Sequence, residues 1–258
     1  MSFRRLTILS AFLVLGLYGG LIGSVLYFLA PGAVQQVLTS ERALFSLRLS
    51  LWAATLACAL AVLLALPAAY ALSRYRFAGR EWVDTALEFP LVVSPAALGA
   101  ILLIFFSNPL GEWLQAHVLQ FVFTAAGIVL AQFVTVLGVA VRFMKSAFDA
   151  VPAELESVAR TLGASPRRVF ATVTLPLARR GLVAAAVLAW AKALGEFGAT
   201  FTVAGTMAMR TETLPIAIVM RLETADIEGT VALILVLVGV GLGALWLARR
   251  LLREAPHA

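Results

Sequence analysis

The chain has 258 residues, of which 62% are hydrophobic and 13% charged. Soluble domains carry about a quarter charged residues, so this composition excludes one and places the chain in a lipid bilayer. The net charge of +6 calls for no nucleic acid, because it follows from the side of the membrane on which the cations sit.

Runs of about 20 apolar residues cross a hydrocarbon core of roughly 30 Å as helix. Six such runs stand at 6–29, 47–72, 86–106, 121–143, 182–204 and 231–252. Lipid offers the backbone no water partners, so spans are helices or a closed barrel. Without strict alternation the runs read as helices. The expected fold is an all-α polytopic membrane protein of six transmembrane helices, a single domain over 1–258.

The first run follows Arg4 and Arg5, which also suits a signal peptide. A signal h-region is about 7–15 residues long. The run 6–29 is longer, and Ala30-Pro31-Gly32 is a poor cleavage site, so a retained first helix is expected. In the second run Cys58 reads as a small packed hydrophobe. A lone cysteine gives no disulfide framework, and no cluster has metal-ligand spacing. With His117 and His257 the only histidines, no histidine-based catalytic site is expected, nor any metal or cofactor. Pro90 and Pro95 shape the entry of the third run.

Orientation follows from the positive-inside rule. With a cytoplasmic N-terminus, one side collects Arg4, Arg5, Arg74, Arg76, Arg80, Arg142, Lys145, Arg160, Arg167, Arg168, Arg179, Arg180, Arg249, Arg250 and Arg253. The other side holds Arg42, Arg48, Arg210 and Arg221. Both termini and the polar segment 151–176 are therefore expected in the cytoplasm. With five residues after Arg253, no regulatory domain is expected there.

Between the fourth and fifth runs, 151–176 reads VPAELESVARTLGASPRRVFATVTLP. Pro152 suits the first turn of a helix. Leu155, Val158, Ala159 and Leu162 then recur at i, i+3, i+4 and i+7 as one apolar stripe, preceded by Glu154. Gly163 falls where a left-handed cap would end that helix. Ser165-Pro166 starts a second helix, running through Val169 and Phe170 to Leu175-Pro176. A helix of about ten residues is marginal in water and needs a surface. The stripe packs either on the protein's own spans or on a docking partner. The Gly-x-x-x-x-Gly-Lys-Ser/Thr phosphate loop is absent from the chain, so any ATP that drives it is hydrolysed by another polypeptide.

The fifth run contains Trp190-Ala-Lys-Ala-Leu-Gly-Glu-Phe-Gly-Ala-Thr200. Lys192 and Glu196 are four apart, neighbours on one helical face, and intramembrane charges tend to pair or to face a pathway. They read either as a structural ion pair or as a helix lock or gate. Glu196 itself repels an anion. Gly195 and Gly198 permit close helix approach or a local break. Thr200 and Thr202 offer hydroxyl donors without fixed charge, suited to letting an oxyanion pass. Beyond it, 205–229 holds an apolar stretch too short to span, read as a surface helix or partial re-entrant segment.

Two motifs carry a family resemblance. The segment 151–176 resembles the coupling loop of ABC importer permeases, Glu-Ala-Ala-x-x-x-Gly followed at a distance by Ile-x-Leu-Pro. Ala159, Gly163, Val173, Leu175 and Pro176 fall on that spacing. Ser157 and Val158 replace the Glu and first Ala, and Glu156 stands one residue early. The second motif, Gly195-Glu196-Phe197-Gly198-Ala199-Thr200 with Ala204-Gly205 and Thr211-Glu-Thr-Leu-Pro215, resembles the permeases of molybdate and tungstate importers. Related sulfate permeases show a GEYGS-like version. The resemblance implies a homodimer, two cytoplasmic ATPase subunits and an external oxyanion-binding protein, in the inner membrane of a prokaryote. It further implies an ATPase-coupling role for Glu154, Leu155, Glu156, Val158, Ala159, Leu162 and Gly163. Lys192 and Gly195 to Thr200 would line the pathway or gate. The alternatives are a sulfate permease, a gradient-driven anion transporter, for which no internal repeat is found, and a membrane scaffold.

Overall fold

The computed structural model describes residues 3–253. The side chains of Arg249 and Arg253, and His257, lie outside the described residues. All regular structure among them is helical. Helix α1 (Phe3–Tyr27) buries none of its residues against the rest of the chain. A short α2 (Ala33–Thr39) leads into α3 (Glu41–Arg74), longer at both ends than the apolar run that announced it. Every fourth or so residue of α3 is small, and Ala54, Ala57, Ala61, Ala65 and Ala69 are fully buried. That stripe lets α7 and α10, introduced below, approach closely and build the main core with Val136, Met144, Phe148 and Leu182.

The run 86–106 is not one span. It is divided between α4 (Arg80–Val92) and α5 (Pro95–Phe106), which meet at 110°. The reason is local. A residue before proline is pushed out of the helical region, and Ser94 is extended, at φ −62° and ψ 147°. Its hydroxyl then caps α5 by accepting from the Ala97 N–H. α4 lies along α7 through Asp84–Lys145 at 3.2 Å and Glu88–Arg142 at 2.9 Å.

α6 (Pro109–His117) follows, capped by Asn108. α7 (Ala125–Asp149) starts after the Thr124 cap, later than residue 121, and continues past 143. α8 (Ala153–Thr161) has Pro152 at its N-cap position, one place before the first turn. The second helix of 151–176 is not a separate element on the membrane surface. α9 (Pro166–Val169) passes through a π turn at Phe170–Thr174 directly into α10 (Leu175–Leu194), a continuous length of 29 residues.

The run 182–204 is broken as well. α10 stops at Leu194, and α11 (Gly198–Ala204) begins after a three-residue interruption. The segment beyond it does not rest on the surface. α12 (Leu214–Glu223) buries Leu214, Pro215, Ile216 and Ala217 and joins a core with Ala33, Val37 and Ala43. α13 (Ile227–Arg253) closes the fold. Five helices are long and apolar enough to cross a membrane, and the bent α4–α5 pair makes six.

Candidate functional site

The segment 151–176 folds as a clasped lever. α8 ends in a Schellman cap: Gly163 has φ +88°, its N–H donates to Arg160 O, and Ala164 N–H donates to Ala159 O. Only glycine adopts that backbone without strain. On the inner face of α8, Glu156 is 2% exposed. Arg74, the last residue of α3, donates to Glu156 Oε1 at 2.7 Å and to Phe148 O and Val151 O at 2.9 and 2.7 Å. Thr174, in the π turn, donates to Oε1 at 2.8 Å, Tyr70 to Oε2 at 3.3 Å, and Arg160 completes the set at 3.5 Å. Burial alone would raise the Glu156 carboxyl, but these donors together hold it below the ordinary carboxylate range.

The opposite face of α8 is apolar and open. Leu155, Val158 and Leu162 are 44%, 57% and 82% exposed. At 100° per residue they lie about 100–160° around the helix from Glu156, all on the same side. The stripe therefore does not pack on the protein's own spans. Glu154 and Gly163 are exposed, and Ala159 is half-buried at the edge. Of the residues expected at a coupling surface, Glu156 is the one that points the other way.

The second candidate group surrounds the α10–α11 break. Glu196 is 4% exposed and lies beyond the end of α10, so it is not the helical neighbour of Lys192. Its Oε1 accepts from the Ala199 N–H at 2.9 Å, tying the carboxylate to the start of α11. Lys192, itself exposed in the otherwise buried last turn of α10, forms no ion pair with it within 4.0 Å. The expected lock is therefore a helix start. Ala199 and Thr200 are fully buried, Phe197 and Gly198 are half-buried and Gly195 is exposed.

α11 packs on α5, the other half-helix. A Cβ at Gly198 would lie 2.9 Å from Ala96 N and 3.1 Å from Pro95 Cβ. One at Gly99 would lie 2.7 Å from Thr202 Cβ and 3.0 Å from the Ala199 backbone. Both interrupted segments thus meet, start beside start, in one layer. Irregular backbone at membrane depth is tolerated where it is buried in protein or lines a cavity.

Gln132 was not singled out in the sequence, and Arg74, Arg42 and Glu212 entered it as topology or motif residues and not as partners in a site. Gln132 is fully buried in α7 and its amide has no partner among the described residues. An amide inside an apolar run was the available signal. Glu212, 1% exposed, receives Arg42 in a two-pronged pair at 2.8 and 2.9 Å. Leu214 N–H donates to Ser50 Oγ beside it at 2.7 Å.

Known proteins share this fold. A bacterial ABC transporter that imports the acidic polysaccharide alginate superposes with a TM-score of 0.75 at 17% identity, over 98% of both chains. The MetNI methionine ABC transporter does so with 0.66 at 18%, over 85% of this chain and all of that one. In sequence, a probable molybdenum ABC transporter permease protein of Haloferax volcanii is 35% identical over 97% of this chain and 91% of its own length. The molybdenum transport system permease protein of Escherichia coli is 37% identical over 74% of this chain and 88% of its own. The sulfate transport system permease protein CysT of Escherichia coli is 31% identical over 80% of this chain and 76% of its own. Residues 61–255 match the family described as binding-protein-dependent transport system inner membrane component, and the chain belongs to that family.

Proposed function

We propose that the chain, as one permease domain over 1–258, is the membrane subunit of an ATP-driven oxyanion importer whose cargo is molybdate or tungstate. The observation that carries this reading is the clasped α8 with its open apolar face at Leu155, Val158 and Leu162. A helix held this firmly on one side and left apolar on the other is built to be gripped. Its partner is a cytoplasmic ATPase, two copies serving a permease pair. Closure of the ATPases draws the two α8 helices together and alternates access through the α5–α11 layer. Leu155, Val158 and Leu162, flanked by Glu154, Ala159 and Gly163, make the contact. Glu156 holds the lever from behind.

A second copy is supported by α1, which buries none of its residues in its own chain, and by an apolar groove of α3 and α7 along Trp52, Leu56, Leu60 and Phe133. The cation bias supports cytoplasmic termini in a prokaryotic inner membrane. An external binding protein delivers the anion near 205–229.

The cargo rests on the Gly195–Thr200 motif and on the names of the relatives. The sulfate permease among them keeps sulfate as the second reading. The test is ATP hydrolysis by the reconstituted complex, with binding protein loaded with molybdate, tungstate or sulfate. Stimulation by molybdate or tungstate above sulfate is expected. Stimulation by sulfate alone reverses the cargo, and stimulation by none removes the importer reading.

A further inference from the structure

α3 is grasped at both ends. In its first turn Arg42 pairs with buried Glu212 of the external segment. At its last residue Arg74 pairs with buried Glu156 of the lever. Thirty-four residues of helix reach roughly 50 Å, so the two joints lie on opposite faces of the membrane. Between them the fully buried alanines seat α3 against α7 and α10, which favours its moving as one body. Two other routes are interrupted, by the 110° bend between α4 and α5 and by the α10–α11 break, while α7 and α13 cross unbroken; α3 is distinguished by the ion pair to a buried glutamate at each of its ends.

Each joint also faces something that can move it. The inner one backs onto the open face of α8. The outer one borders a cavity of about 430 Å³ lined by Arg42, Met220, Arg221, Glu223, Thr224 and Asp226. Arg42 is 54% exposed at the side chain, whereas Glu212 is 2% exposed. A docking protein can therefore reach the cation without unseating the carboxylate.

We propose that α3 is a connecting rod that couples docking of the delivery protein at this external cavity to the posture of α8, with Arg42 and Arg74 as positioning residues at its two joints. Docking that shifts the Arg42–Glu212 joint displaces α3, and the Arg74–Glu156 joint passes the displacement to the ATPase-facing lever. Such coupling is reciprocal, so the nucleotide state of the ATPase alters affinity for the delivery protein outside. The claim concerns an element that both sites bias. It rests on the importer reading above.

The experiment uses the whole complex in nanodiscs, with permease pair, ATPase and molybdate-loaded delivery protein. Affinity for the delivery protein is measured without nucleotide and with ATP trapped by vanadate. The native complex is expected to show different affinities in the two states. Glu156→Gln, across the membrane from the docking cavity, is expected to shrink that difference by about fivefold or more, the lower end of ordinary allosteric couplings. Glu212→Gln is expected to lower stimulation of hydrolysis by the delivery protein to a similar degree. Should Glu156→Gln fail to assemble, Arg74→Lys keeps the charge but cannot reach Glu156, Phe148 O and Val151 O together, and the same loss is expected. A variant that assembles and retains the native affinity difference overturns the rod. A native complex that the delivery protein never stimulates overturns the importer reading beneath it, so the two failures are distinct.

Discussion

The two short helices α8 and α11 are built on opposite terms, although each keeps a buried glutamate at or near its start. Glu156 of α8 reaches away from its own helix, to Arg74, Tyr70 and Thr174. Glu196 turns back and binds the N–H of Ala199 in the helix it precedes. α8 leaves Leu155, Val158 and Leu162 open, while α11 buries Ala199, Thr200, Val203 and Ala204. Their glycines differ in the same way. Gly163 stands in open space at φ +88°, needed for its backbone, and Gly198 is needed for its missing side chain. One helix is finished within the chain and the other keeps an open apolar face.

The largest expected effect comes from crowding the finished helix. Gly198→Val places carbon against Pro95 and Ala96 at 2.9–3.1 Å, so α5 and α11 must separate. Overpacking of this kind costs about 1–3 kcal/mol, and uptake should be lost together with a lower melting temperature of the solubilised chain. Unchanged melting would show that the half-helices are not tightly packed. The next effect falls on the open helix. Val158→Asp with Leu162→Asp should leave melting unchanged and abolish co-purification of the ATPase, since neither side chain supports the fold. If the complex still forms, the docking face lies elsewhere. Smaller again is Gly163→Ala, where a left-handed backbone costs about 1–2 kcal/mol confined to the α8 cap. Hydrogen exchange should rise in 159–164 and not in α11.

Acid sharpens the contrast further. The folded Glu156 carboxyl sits below its ordinary value, so the clasp stabilises above the unfolded pKa of about 4.3. It is lost as pH falls through the lower folded value. Exchange protection of α8 should therefore persist below the usual carboxylate range and then fall. In Glu156→Gln the protection should be lower and no longer follow this titration. Loss of native protection already near pH 5 would mean that the clasp is open in solution.

The difference between the helices also marks what could be read in advance. The α8 stripe, its Gly163 cap and the Ser165-Pro166 start are short-range features, and periodicity and capping chemistry display them directly. Membrane-spanning helices follow from hydropathy for the same reason. The break at Val93–Ser94 does not, because apolar residues continue on both sides and averaging hides the turn, and the one at 195–197 was open only as an alternative that Gly195 and Gly198 permitted. Ser94-Pro95 was a helix-start signature inside a run taken as one span. The clasps were beyond reach of local reasoning, since Glu156 meets Arg74 across 82 positions and Glu212 meets Arg42 across 170. An i, i+4 pairing rule joined Lys192 to Glu196 as helical neighbours, but α10 ends at Leu194, and Lys192 acts on the carboxylate through space and not as a direct ion pair.

The smallest effect tests whether the motif's first glycine shares the role of its second. Gly195 has φ −86° and ψ 4°, which any residue adopts. The nearest atoms to an added Cβ are Ala191 O at 3.7 Å and Lys192 O at 4.0 Å, ordinary contacts. Gly195→Ala should therefore change stability by no more than about 0.5 kcal/mol and leave assembly intact. Uptake near the native rate would assign the motif's packing demand to Gly198. Loss of uptake at unchanged melting would instead mean that Gly195 takes a different backbone conformation during transport, making the α10–α11 break a moving joint. The finished helix would then be finished in one state only, and the contrast with α8 would become a contrast between two hinges.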